Sequence, residues 1–237
     1  MSMDKLNASF LELTVAGSES TAVVLSGAIN KLIQDPDRLA ILVDEIRTRI
    51  KTFEEITFDA LRDLKYLNAV INEALRLTPP LQWIPSRQVP SEGATVCGKW
   101  LPGGVSPIPS SPFPVPPANP QQAAVSISLS AMQRSPTSFH EPSSFRPERW
   151  FTDLPTNPTS PFHHDRRVAV KSFLFGSRTC LGQRVAWARM RMTLAKLLWT
   201  VDVALPEDKG KWVEWEKLKC YLVLEKKPIV VEMRLLE

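Results

Sequence analysis

Residues 173–182 read Phe-Leu-Phe-Gly-Ser-Arg-Thr-Cys-Leu-Gly. Residues 181–199 then carry apolar side chains at helical spacing, which predicts a long helix. Cys180 therefore stands at a helix start, with Gly182 two positions after it and Gly176 four before. Helix N-termini carry unpaired N–H groups and partial positive charge, and such a place favours a thiolate over a thiol. Glycines let backbone turn tightly around a sulfur atom. A cysteine so placed is suited to be a nucleophile or a metal ligand. Taken alone, the loop is read more readily as a buried structural cysteine, because buried free cysteines are common.

Upstream, the text is mostly helical. Residues 11–33 place Leu11, Val15, Leu25, Ile29 and Leu32 at helical spacing, interrupted by the polar stretch 16–21. Asp35-Pro36 caps and starts a second helix, expected to about residue 51, with Leu39, Leu42, Val43, Ile46 and Ile50 on its apolar face. Thr57 is an N-cap for a further helical stretch. A helix over 64–77 carries Leu67, Val70, Ile71, Leu75 and Leu77, and Pro79-Pro80 stops it. Residues 83–100 read as short strands and turns, and 124–129 alternate as a half-buried strand does. Residues 134–173 read as irregular, and the tail holds strand-like runs at 221–224 and 229–231. No internal repeat is visible. The expected fold is mainly α with a small β part.

Three further segments give the cysteine loop its context. Glu73-Ala74-Leu75-Arg76 lies on a helix, residues 145–150 read Phe-Arg-Pro-Glu-Arg-Trp, and residues 16–21 read Ala-Gly-Ser-Glu-Ser-Thr. The loop resembles the heme-binding loop of the cytochrome P450 monooxygenases, Phe-x-x-Gly-x-Arg-x-Cys-x-Gly, and every fixed position matches. The other three resemble that family's Glu-x-x-Arg helix, its Pro-Glu-Arg-aromatic segment and its oxygen-binding helix, in the family's order. The resemblance implies the C-terminal half of the cytochrome P450 fold and a heme b whose iron has Cys180 as axial thiolate, the one metal ligand expected from the chain. It implies Arg178 and Arg87 as partners of heme propionates, Phe173 as a shield for the sulfur, and Gly176 and Gly182 as the turns of the cofactor loop. Glu73, Arg76 and Arg149 are expected to form a buried ion-pair network. A surface salt bridge, the plainer alternative, would contribute under about 1 kcal/mol. Glu19, Ser20 and Thr21 are expected in oxygen activation. Ser20 stands where the family usually has threonine, and its hydroxyl is less fixed than a β-branched one. The alternative for Ser20 is a hydroxyl bonded back to its own turn.

By the same resemblance, electrons come from NADPH-cytochrome P450 reductase, the substrate is a small organic molecule, and the expected place is the endoplasmic reticulum membrane or, since no anchor is read in this chain, the cytoplasm. The style of the remaining text is similar to fungal secondary-metabolism members. Family members are about twice as long, which leaves two readings open: a monooxygenase, or a truncated, catalytically inactive remnant or incomplete gene. Truncation would leave exposed apolar surface on helices without neighbours.

Composition limits the other classes. The chain has 237 residues, 43% hydrophobic and 23% charged, which is globular. The net charge of +4 comes without a basic block, so nucleic acid is not an expected partner. No run approaches the roughly 20 apolar residues that span a bilayer, and the first ten residues lack the features of a secretory signal. Cys97, Cys180 and Cys220 are far apart, so neither a disulfide framework nor a zinc site is expected. His163 and His164 are adjacent in a Pro-rich loop and are expected to face solvent. Arg184, Arg189, Arg191 and Lys196 follow Cys180. They are read either as a solvated helix face or as the surface that meets an acidic electron donor. Eight of the 21 prolines fall between Pro102 and Pro120. Residues 105–122, rich in Pro, Ser, Ala and Gln, separate a Pro-Gly-Gly turn from the strand expected at 123–126. Such composition does not build a packed element. Val-Ser and Gln are encodable by splice-donor and splice-acceptor triplets, so the stretch is read as a retained intron or, alternatively, as a natural Pro-rich loop.

Overall fold

The computed structural model describes residues 2–103, 124–151, 157–207, 213–221 and 223–236. Six helices carry it: α1 (Met3–Leu32), α2 (Pro36–Arg49), α3 (Phe58–Arg62), α4 (Lys65–Leu77), α5 (Leu129–Gln133) and α6 (Gln183–Thr200). Three small antiparallel pairs complete the described fold. β1 (Arg87–Gln88) pairs with β4 (Ala124–Val125), β2 (Ala94–Val96) with β3 (Lys99–Leu101), and β5 (Val201–Ala204) with β6 (Glu232–Leu235). The expected class, mainly α with a small β part, is what the structure has.

The core lies among α1, α2, α4 and α6, which pack against one another. Leu32, Leu42, Ile46, Leu67, Ile71 and Leu194 are fully enclosed there. α4 is its axis: ten of its 13 residues are buried, Glu73 and Arg76 among them. A helix buried all round is central to its domain. α1 reaches α4 closely because Gly27 has no side chain; a Cβ there would stand 2.5 Å from Thr78 Oγ1. A smaller cluster, Val23, Val213, Trp215 and Leu224, fastens the C-terminal tail to α1.

α2 closes the ends of two other helices. The N-cap residue of α4, Leu64, has no side chain to offer. The Glu45 carboxylate accepts instead from the backbone N–H groups of Tyr66 and Leu67, each at 2.8 Å. At the far end of α6, Arg47 donates to the carbonyl of Leu198 at 3.1 and 2.7 Å and to that of Val201 at 3.3 Å. Each contact satisfies orphan backbone groups and places a charge of the right sign at a helix end.

Several expected boundaries move. α1 begins at Met3, well before residue 11, and runs unbroken through 16–21. The polar residues there do not interrupt it because Ser20 and Thr21 bond back to the carbonyls of Ala16 and Gly17, at 2.6 and 3.4 Å. The strand expected at 124–129 keeps only two residues, because Ser128 turns into an N-cap that accepts from Ala131 N and starts α5. α6 starts at Gln183, with Gly182 at its N-cap. In the tail, the second strand is not 229–231 but Glu232–Leu235, whose partner β5 follows directly on α6 and fixes the register Val201↔Leu235. The run at 221–224 forms no strand among the described residues; Cys220 and Leu224 make an isolated bridge. Thr57 caps α3 as expected, accepting from Ala60 N. Residues 105–122 lie outside the described residues.

Candidate functional site

The cysteine loop is closed by its own backbone. Cys180 N donates to Phe173 O at 2.9 Å, Leu174 N donates to Lys171 O at 2.8 Å, and Thr179 donates to Gly176 O through both its N–H and its hydroxyl. The closure needs left-handed backbone at two places, Leu174 (φ 60°) and Gly176 (φ 69°). Glycine takes that conformation freely; leucine does so at a cost. Cys180 is exposed at the end of this loop, just before α6. A Cβ on Gly182 would stand 3.9 Å from its sulfur, while one on Gly176 would meet nothing within 4 Å. Phe173 is half-buried against the main core. Arg178 is exposed in the 3-10 turn Gly176–Arg178 and forms no ion pair among the described residues. Arg87 is exposed on β1 and donates to its own loop, to the carbonyls of Pro85 and Ser86. No common partner joins Arg87 to Arg178 among the described residues.

Behind the loop lies a buried charge network. Glu73, Arg76 and Arg149 have fully enclosed side chains. Glu73 accepts five hydrogen bonds: from Arg76 Nε and Nη2, Arg149 Nε, Arg146 N and Trp150 Nε1, all between 2.7 and 3.0 Å. Arg76 spends its remaining donors on the carbonyls of Gln133, Pro142 and Ser144. Arg149 pairs with Asp165, which is 2% exposed, and donates to the carbonyls of His140 and Glu141. Both guanidiniums lie over the Phe139 ring, at 5.0 and 5.7 Å, and Arg149 also lies 4.8 Å from the centre of Phe162. The surface-salt-bridge alternative is excluded for this geometry. Two carboxylates balance two guanidiniums, which is how buried charge is tolerated. The network connects to the loop through Ser172, whose hydroxyl donates to Leu75 O at 2.8 Å, next to Arg76. Asp165 and Trp150 were not among the expected residues. Asp165 sits alone in an irregular stretch, and no spacing rule pairs it with Arg149. Trp150 does lie in the quoted Pro-Glu-Arg-Trp segment.

The α1 motif lies apart from the network. Ser20 Oγ donates to Ala16 O at 2.6 Å, within its own turn. Thr21 is buried, and Glu19 is ion-paired at 3.0 Å with Lys226 of the tail. Glu19, Ser20 and Thr21 make no hydrogen bond to one another among the described residues. Arg189 of α6 donates to Gly17 O at 2.6 Å, which ties the cysteine helix to the motif. Of the basic residues named on α6, Arg184 is exposed, as a solvated face expects, whereas Arg189, Arg191 and Lys196 make contacts. Arg191 bonds Asn68 and stacks on Trp187, and Lys196 lies over Phe53. Desolvation holds the Arg191 guanidinium below its ordinary value, reinforced by nearby Arg62. His163 and His164 face each other edge-on at 4.8 Å, and no group of His, Cys, Asp and Glu with metal-holding geometry is present among the described residues.

The sequence model of the family described as cytochrome P450 matches residues 1–106 and 120–233. The chain belongs to the cytochrome P450 family. It is 37% identical over 218 residues to cytochrome P450 monooxygenase FUM2 of Gibberella moniliformis, covering 92% of this chain and 41% of that protein. To the averantin hydroxylase of Aspergillus parasiticus it is 32% identical over 235 residues, covering 95% and 43%. To cytochrome P450 monooxygenase alt3 of Alternaria solani it is 36% identical, covering 92% and 38%. The chain thus spans about 40% of the length of the relatives it matches. Cytochromes P450 hold heme through a cysteine thiolate. The donor chemistry here fits that group: an exposed sulfur on a fixed loop, open space beside Gly176, and an exposed guanidinium at Arg178. No described helix is long and apolar enough to cross a membrane.

Proposed function

We propose that this cytochrome P450 chain carries the heme-thiolate part of a monooxygenase. The reaction places one atom of O2 in a small organic substrate and reduces the other to water, with two electrons from NADPH delivered through cytochrome P450 reductase. The names of the relatives support a role in secondary-metabolite biosynthesis, and family resemblance supports the endoplasmic reticulum membrane as its place. The observation that carries the reading is the Cys180 sulfur, exposed on a backbone-closed loop at the start of α6.

Heme bound by a cysteine thiolate supplies electron density that favours O–O cleavage. Cys180 would be the ligand. Arg178 and Arg87 would hold the propionates, since a planar guanidinium matches a carboxylate in geometry and charge. Gly176 and Gly182 would keep side chains away from the loop's turns, and Phe173 would cover one approach to the sulfur. Glu73, Arg76 and Arg149 would brace the loop's base, which Ser172 ties to Leu75 O beside Arg76. Glu19, with Ser20 and Thr21, would hold and pass protons on the opposite helix. For Ser20 this requires release of its hydroxyl from Ala16 O.

Heme loading, dithionite reduction and CO addition test the reading. The red-shifted Soret band of a thiolate-ligated heme is expected, and Cys180→Ala should abolish it. Absence of heme uptake would refute the enzyme reading for this chain. The alternative reading is an inactive remnant that takes up no heme. The same spectrum decides between the two.

We further propose that residues 105–122 are an insert, read as a retained intron. The family match omits 107–119, inside this stretch. β1 on one side of it still pairs with β4 on the other. Transcripts that all continue through the stretch would overturn the intron reading.

A further inference from the structure

We propose that Lys226 is a positioning residue for Glu19, holding that carboxylate in place from the C-terminal tail. The role rests on the heme-thiolate reading above. Glu19 has one ion-pair partner among the described residues, Lys226 Nζ at 3.0 Å. The pair is half-exposed, with side-chain exposures of 27% for Lys226 and 43% for Glu19.

The tail that delivers Lys226 is anchored. Leu224 is 5% exposed, shares a cluster with Val23, and donates from its N–H to Pro80 O at 3.3 Å. Glu225 N donates to Lys219 O at 2.8 Å. Val23 lies four residues after Glu19, on the same helix face. Leu224 lies two residues before Lys226. The tail therefore holds α1 at two successive levels, one apolar and one ionic. Lys227, the next residue, is exposed and forms no ion pair among the described residues, so the contact belongs to position 226 and not to a generally basic tail. Arg189 holds the same motif from α6 through Gly17 O.

A carboxylate that passes protons is useful only in a defined place relative to its neighbouring hydroxyl. Ser20 must leave Ala16 O before it can serve, and once released it has no β-branch to fix its rotamer. More of the geometric definition then falls on Glu19, whose unpaired side chain would sample many rotamers. Lys226 removes that freedom by pairing with the carboxylate.

Two readouts on the full chain test this. The first needs no heme: a stability cycle in urea over Glu19→Gln, Lys226→Met and the double variant. Each single change is expected to shift the unfolding constant by about 1.5- to 5-fold, with the double no worse than either single. Strict additivity would overturn the pair. The second uses the heme-loaded chain with reductase and NADPH, and follows the share of electrons recovered as hydrogen peroxide. That product takes two electrons and two protons per O2, whereas reduction to two waters takes four of each. Lys226→Met is expected to change the peroxide share by about two- to tenfold, and Lys226→Arg to restore it. An unchanged share, or no rescue by arginine, would overturn the positioning role. An unaltered chain that binds no heme or consumes no NADPH would overturn the functional reading and this role with it. That failure is told apart because the stability cycle requires neither.

Discussion

Replacing Glu73 with glutamine is the most severe test of the buried network. Glu73 Oε1 accepts from Arg76 Nη2, Arg149 Nε and Arg146 N, and Oε2 accepts from Arg76 Nε and Trp150 Nε1. A glutamine keeps one oxygen and turns the other position into an NH2 group. If the oxygen serves the first three donors, the amide faces the last two, donor against donor. Two buried donors then lose their acceptor, at about 1–3 kcal/mol each. The charge balance also breaks, leaving two guanidiniums against Asp165 alone. Breaking a buried pair by removing one partner costs about 3–5 kcal/mol, which agrees with the first count. Against a total stability of about 5–15 kcal/mol, that is a large fraction. With an m-value of about 2 kcal/mol/M in urea, the midpoint should fall by about 1.5–2.5 M at unchanged m. Circular dichroism during urea titration reads this directly. Asp165→Asn should cost less, about 1–3 kcal/mol, because Arg149 keeps Glu73. The two changes together should fall short of their sum, since both act on one network. Glu214→Gln, which removes an exposed partner of Lys217, is the control and should cost under about 1 kcal/mol. A Glu73→Gln cost as small as the control would refute the argument that burial makes this network a structural tie.

Other outcomes follow from the same geometry. Glu45→Ala removes the borrowed cap of α4 and should destabilise by about 1–2 kcal/mol in the same titration; no loss would mean water caps α4 as well. Gly27→Val should lower the melting temperature by several degrees, because its Cβ would meet Thr78 at 2.5 Å and overpacking costs about 1–3 kcal/mol. Burial, with Glu148 beside it, pushes the Tyr66 phenol well above its ordinary value. Its folded value is raised, so the stabilisation is fully present below about pH 10 and is lost as pH rises beyond that. Tyr66→Phe should therefore flatten the alkaline fall in urea midpoint, and an unchanged fall would show that Tyr66 does not cause it.

What was legible in the sequence was whatever a local rule governs. The apolar spacing of 64–77 marks α4, Asp35-Pro36 starts α2, and the glycines around Cys180 mark a tight loop before a helix; each depends on residues a few positions apart. Glu73 and Arg76 meet because they lie three apart on one helix. What was not legible depends on contacts between distant segments. Asp165 joins Arg149, 16 positions away, only through tertiary packing beside Phe162, and Lys226 reaches Glu19 across 207 positions of sequence. The strand at the C-terminus was misplaced for the same reason: Ile229 and Val231 have the better strand composition, yet they pack against the core, and Glu232–Leu235 takes the pairing that β5 offers. The unbroken α1 has a further cause. Polar residues read as a break because hydroxyls compete with backbone, but in α1 they compete for carbonyls of their own helix and leave its ladder in place. The hydroxyl of Ser20 that oxygen activation would call on is the one that bonds back to Ala16, so proton delivery by this chain would begin with the loss of a hydrogen bond. That adds a cost of about 0.5–1.5 kcal/mol. A Ser20→Thr variant, with its rotamer more restricted by the β-branch, should change the peroxide share and leave the Glu19–Lys226 stability coupling untouched.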